Sequence, residues 1–146
     1  MAYRWNFAPV FDNADVLLAG AVGTLRLFVI CLAVGLRQGL VVGVGRYAKA
    51  RRFHWPATAF VEFFRNTPVL VQILWFYFAL PILLPFEISP LAAAALGISL
   101  NSAAFTGEIV RGGIQSIERG QWEAGRALGM TPAQTMRRVV LPQALR

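Results

Sequence analysis

Two stretches of this chain carry no charged side chain at all, Asn66 to Phe86 and Ile88 to Gly107. As helices rising about 1.5 Å per residue, each is long enough to cross about 30 Å of hydrocarbon. A third apolar block runs from Val16 to Gly45, interrupted by Arg26 and Arg37. Inside lipid a backbone amide finds no water, so spans of this length satisfy their own hydrogen bonds by coiling into helices. The sequence therefore predicts an all-α polytopic membrane bundle, with three spans over about 16–45, 57–80 and 90–109. Composition agrees: 57% of residues are hydrophobic and 14% charged, against roughly a quarter charged in an average soluble domain.

Net charge is +7. Basicity of that order suits a nucleic-acid partner, but the arginines here flank the apolar blocks, as the positive-inside rule requires of a membrane protein. Arg46, Lys49, Arg51 and Arg52 fill the first loop without an acid. Glu87 alone is charged in the second, and Arg111, Arg119, Arg126, Arg137, Arg138 and Arg146 outnumber the acids after the third span. The N-terminus is expected outside, and the first loop and C-terminal stretch in the cytoplasm.

Within the spans, Gly35, Gly39 and Gly43 recur every four residues, the small-xxx-small spacing that lets helices approach closely in lipid, or else the ordinary glycine enrichment of membrane helices. Arg26 and Arg37 fall on one stripe about 16 Å apart. Arg26 can snorkel to the surface. Arg37 is costly at its depth unless it faces protein or water, so it approaches an anionic solute group, pairs with an acid such as Glu62, or makes an inter-subunit contact. Glu62 and Arg65 are spaced for a local ion pair. Thr67-Pro68 predicts a break in the second span, with Thr67 capping the helix beyond it. Asn101 and Ser102, polar at mid-depth, line a pathway or bond a neighbouring helix. Cys31 reads as a small buried hydrophobe. His54 has no metal-ligand neighbours, and no catalytic triad, metal cluster or phosphate-binding loop is legible, so an enzyme is not expected.

The closing stretch is different in kind. Trp122 to Leu128 suits a short helix that Gly129 stops in a left-handed turn. Thr131-Pro132-Ala133-Gln134 reads as the start of another, with a capping box, and Pro142 limits it. Met136, Val139 and Val140 share a face. Such a hairpin lies on lipid, reads DNA as a helix-turn-helix, or docks on another protein.

"VEFFRNTPVLVQILWFYFALP" and "EIVRGGIQSIERGQWEAGRALGMTPAQTMRRVVLPQALR" together resemble the inner-membrane permease subunits of bacterial ABC importers for polar amino acids, the histidine/glutamine permease type, over about Leu17 to Arg146. The resemblance implies a partial ABC importer transmembrane domain in which the loop over about 117–142 forms coupling helices seated on a cytoplasmic ATPase. Gly120, Glu123, Ala124, Gly125 and Gly129 would carry that docking loop, and Leu141-Pro142 would end it. It also implies a dimer of ATPase subunits that hold the ATP and magnesium, a second permease copy or paralogue, and a periplasmic amino-acid-binding protein. This chain itself would bind no cofactor. Gly125 stands where the family motif has alanine, a change that weakens the helix by about 1 kcal/mol. Members of the family continue into two further spans, so the chain is expected to represent the first three-fifths of a permease. A DNA-binding membrane regulator, or a non-functional permease remnant, is the alternative.

Overall fold

The computed structural model describes residues 7–48, 50–85 and 87–145. A short α1 (Ala8–Asp12) leads into α2 (Ala14–Tyr47), followed by α3 (Arg51–Asn66), α4 (Val69–Leu83), α5 (Pro90–Ser116), α6 (Arg119–Ala127) and α7 (132–144). No strand occurs among the described residues. Helices α2 and α5 are long and apolar enough to cross a membrane, and the bent α3–α4 pair makes a third crossing if it is one span.

The principal contact is between α2 and α5. Cβ atoms added at Gly35 and Gly43 would fall 2.8 Å from the Cβ of Ser102 and 2.6 Å from that of Val110, and one at Gly39 would strike Thr106. Residue numbers rise together along both helices, so α2 and α5 run parallel. The complementary stripe on α5 is Ser99, Ala103 and Gly107, spaced by the same four residues and buried. Small side chains on both partners bring the backbones together, and van der Waals contact is what drives helix association in lipid. Gly35, Gly39 and Gly43 thus lie in the α2–α5 contact.

Between α3 and α4 the chain turns through 103°. Pro68 has no amide hydrogen and pushes Thr67 into extended geometry, φ −105° and ψ 128°, which ends the helix. Thr67 does not cap α4. Its hydroxyl donates back to the carbonyl of Phe63 at 2.8 Å, so it closes α3. The carbonyls exposed by the break are met from elsewhere: Gln72 Nε2 donates to Phe64 and Thr67, at 2.9 and 2.8 Å, and Asn101 Nδ2 donates to Phe64 at 2.9 Å. The crossing expected over 57–80 is therefore two helices at a steep angle, clasped by two amides.

Both α4 and α7 contain a π turn, Trp75–Ala79 and Met136–Val140, and each ends just before a Leu-Pro pair. A proline inside an α-helix clashes with the carbonyl four residues back. A wider turn gives its ring room, so the helix continues. Pro142 consequently does not end the last helix, which runs on to Ala144.

Candidate functional site

The residues that bear on function gather mainly in two places, the hairpin of α6 and α7 and the junction of α2, α3 and α5.

The hairpin is built as its sequence dictates. Gly129 sits at φ +71°, and the amides of Gly129 and Met130 donate to the carbonyls of Arg126 and Gly125 at 2.9 and 3.0 Å. That pair of bonds is the Schellman stop, which glycine adopts without strain. Thr131 Oγ1 then accepts from the Gln134 amide while Gln134 Oε1 accepts from the Thr131 amide, a capping box. Gly125 faces α7, where a Cβ would lie 2.7 Å from Thr135 Cγ2 and 2.8 Å from its hydroxyl. Gly125 is therefore the close-approach point of the hairpin, and its missing methyl has a steric reason.

One side of the hairpin is rooted in the bundle. Val140 is fully buried against Val110 and Ile114 of α5, with Met136, Leu141 and Trp122 packed around them. Trp122 stacks on Tyr47 at the end of α2, ring centroids 5.6 Å apart. The end of α7 crosses α5 at Gly113, where a Cβ would lie 2.5 Å from the Ala144 carbonyl oxygen. The other side is open. Gly120, Glu123, Ala124 and Gly129 are exposed, Glu123 and Arg126 make an exposed pair at 3.8 Å, and Leu128 stands 76% exposed. Leu141 is half-buried toward the bundle, while Pro142 is exposed. The helix that a DNA reader would lay in the major groove uses its apolar face to hold α5.

The junction holds an ion network that the loop charges alone did not reveal. Glu108 on α5 meets three guanidinium groups: Arg46 from α2, Arg111 one turn along α5, and Arg65 from α3 at 3.7 Å. Arg46 also reaches Glu62 at 3.5 Å, with its side chain only 11% exposed. Glu62 therefore pairs neither with Arg65 nor with Arg37. Arg65 lies over the ring of Phe105 at 5.4 Å and reaches Glu108. A signal for Glu108 does exist in the sequence: it ends an uncharged run and has Arg111 three residues on, the spacing of a helical pair.

Arg37 is exposed and borders an open cavity of about 570 Å³ with Gln38, Val34, Val41, Phe60 and Leu100. Arg26 is exposed as well. Asn101 and Ser102 line a smaller cavity of about 250 Å³ with Leu32, Leu36, Phe105 and Thr106, and Asn101 is also the amide that bonds Phe64 of α3. The structure does not bring Arg37 together with this pair.

Apolar helices zipped by small residues, with an amphipathic hairpin anchored at one end, make a membrane-type helix bundle with one peripheral hairpin. The chain belongs to the family described as the binding-protein-dependent transport system inner membrane component, which matches residues 35–146. It is 37% identical over 144 residues to a probable amino-acid ABC transporter permease, YckA, of Bacillus subtilis, covering 99% of this chain and 63% of that protein. It is 38% identical over 141 residues to the arginine transport system permease ArtQ of the same organism, covering 97% of this chain and 64% of the relative. Among solved structures, an amino acid ABC transporter crystallised with histidines superposes with a TM-score of 0.85 at 31% identity, over 98% of this chain and 66% of that one. The chain thus spans about two thirds of the length of the proteins it matches.

Proposed function

We propose that the chain is part of the permease subunit of an ATP-driven importer for polar L-amino acids. It forms part of the translocation pathway, and it docks on a cytoplasmic ATPase through the α6–α7 hairpin. The observation that carries this reading is the two-sided hairpin. Its apolar side is consumed by α5 and the end of α2, whereas Glu123, Arg126 and Leu128 project where a partner protein can grip them. A push on that outer face is transmitted to Val110 and Ile114 by close-packed side chains, because packed interiors yield little. The relatives' names, an arginine system and amino-acid ABC permeases, support the substrate class.

In this reading a pair of ATPase subunits holds ATP and magnesium, a second permease copy or paralogue completes the pathway, and a periplasmic binding protein delivers the amino acid. The N-terminus lies in the periplasm and the hairpin in the cytoplasm, as the arginine distribution favours. Asn101 and Ser102 line the pathway, and Arg37 attracts the solute carboxylate from its own cavity. The test is a cysteine replacing Glu123 in the full chain, expressed with its cognate ATPase. The expected result is a photo-crosslink to that ATPase from a benzophenone maleimide carried on the cysteine, and labelling of the cysteine from the cytoplasmic side only. Labelling from the periplasm, or an assembled complex without a crosslink, refutes the assignment.

A further inference from the structure

We propose that the first two turns of α3 form a binding surface for anionic phospholipid, with Arg51 and Arg52 holding the headgroup phosphate. The inference concerns the membrane contact alone and stands whether or not the chain transports amino acids.

Two sides of α3 differ sharply. Toward α2 it turns His54 and Ala57, and the half-buried Thr58 and fully buried Val61 continue the inward side. His54 Nδ1–H donates to the Arg46 carbonyl at 2.7 Å, and Ala57 packs against Gly45. These contacts fix the rotation of the helix. A residue two positions from His54 is turned by about 200°, and one position away by about 100°. Arg52 therefore projects directly away from α2, with Phe53 and Trp55 on its flanks. Phe53, Trp55 and Phe63 are 55%, 68% and 62% exposed, and Arg51 and Arg52 are exposed.

Charge complementarity selects the occupant. Among the described residues neither Arg51 nor Arg52 has a carboxylate partner, although Glu62 and Glu108 collect Arg46, Arg65 and Arg111 nearby. Arg52 instead lies over the Phe53 ring, 4.9 Å from its centroid, a cation–π contact that holds the guanidinium beside the exposed aromatics. The surface begins just past the end of α2, a helix long and apolar enough to cross a membrane, and the end of such a span is where a bilayer changes from chains to headgroups. Tryptophan is enriched at that depth, and arginine there is attracted to an anionic leaflet. Two free cations beside the exposed rings of Phe53 and Trp55 match a phosphodiester above acyl chains. An acidic protein patch would leave the rings uncovered.

The test uses the full chain with Trp5, Trp75 and Trp122 changed to Phe, so that Trp55 alone fluoresces. It is reconstituted in mixed bilayers of phosphatidylcholine and phosphatidylglycerol, with one lipid or the other brominated. The expected result is stronger quenching by brominated phosphatidylglycerol than by brominated phosphatidylcholine, with the preference falling as salt is raised. Neutralising Arg51→Gln and Arg52→Gln should lower the preference roughly fivefold for each guanidinium removed. Arg51→Lys with Arg52→Lys should retain most of it. The salt titration needs no further variant, so it decides the matter even if the glutamine pair folds poorly. Equal quenching by the two lipids assigns the arginines to an acidic protein surface and overturns the proposal. So does a preference that is insensitive to salt or that survives both glutamines.

Discussion

At Glu108 a single carboxylate ties three helices together, and its partners differ in what they contribute. Arg46 is nearly enclosed and its Nε has no acceptor, so its charge has been largely withdrawn from water and depends on Glu108 and Glu62. Removing one member of such a pair leaves the other uncompensated, which costs more than the pair itself contributes. Glu108 is a quarter exposed, so some of that cost is recovered by hydration. Glu108→Gln should destabilise the chain by about 2–3 kcal/mol, read as a lowered midpoint of thermal unfolding in detergent. Arg65→Gln, at 3.7 Å and 38% exposed, should cost less than about 1 kcal/mol. The reverse order would show that Arg65, not Arg46, bears the load. Gly125 raises a different question, because helix propensity favours alanine there by about 1 kcal/mol. Contact with Thr135 at 2.7 Å outweighs it, since overpacking costs about 1–3 kcal/mol. Gly125→Ala alone should therefore lower the unfolding temperature. Adding Thr135→Ala should recover part of the loss, even though the hydroxyl's bond to the Thr131 carbonyl disappears. A stabilised single variant would mean that Thr135 yields freely.

Elements are where sequence and structure part company. The break after Asn66 was legible because Pro68 removes a donor and restricts Thr67, both local effects. Which side chains close the gap was not legible, since Gln72 lies in an apolar run and its role depends on a chain reversal no local rule reports. The same holds for the α2–α5 contact. Gly35, Gly39 and Gly43 were visible as a repeat, whereas Ser99, Ala103 and Gly107 form an equally regular stripe hidden among other small residues of α5. Pro142 misled for a physical reason: proline stops an α-helix, but a π turn before it removes the clash. Gln72 and Asn101 both donate to the Phe64 carbonyl, so their contributions cannot be independent. Asn101→Leu should cost about 1 kcal/mol while Gln72 still covers that oxygen. Gln72→Leu also strands the Thr67 carbonyl and should cost more. The double variant should lose more than the sum, because Phe64 is then without a side-chain donor. Unfolding free energies from a double-mutant cycle check this, and strict additivity would separate the two amides.

For the whole molecule, the parallel run of α2 and α5 has a mechanical result. The end of α2, carrying Tyr47, and the end of α5, carrying Val110 and Ile114, emerge on the same side and offer the hairpin one common floor. The amphipathic pattern from Trp122 onward was legible in the sequence. The floor was not, because Tyr47 and Trp122 meet only once the intervening chain has reversed and returned. Two faces of one hairpin then make separable demands. Trp122→Ala removes the stack on Tyr47 and loosens the root, leaving Glu123 and Leu128 unaltered on the outside. On the proposed function, in an assembled transporter it should lower amino-acid uptake per ATP hydrolysed while the Glu123→Cys crosslink to the ATPase persists. Leu128→Ala does the opposite. Its side chain is 76% exposed, so unfolding of the isolated chain should be nearly unaffected. ATPase affinity should instead fall by about tenfold, the equivalent of about 1.4 kcal/mol of apolar burial removed from an interface. Uptake, hydrolysis, crosslinking and pull-down on the same two variants distinguish a lever from a passive tether. A tether would let both variants weaken together or leave the ratio of uptake to hydrolysis unchanged, because a flexible link transmits attachment but no displacement.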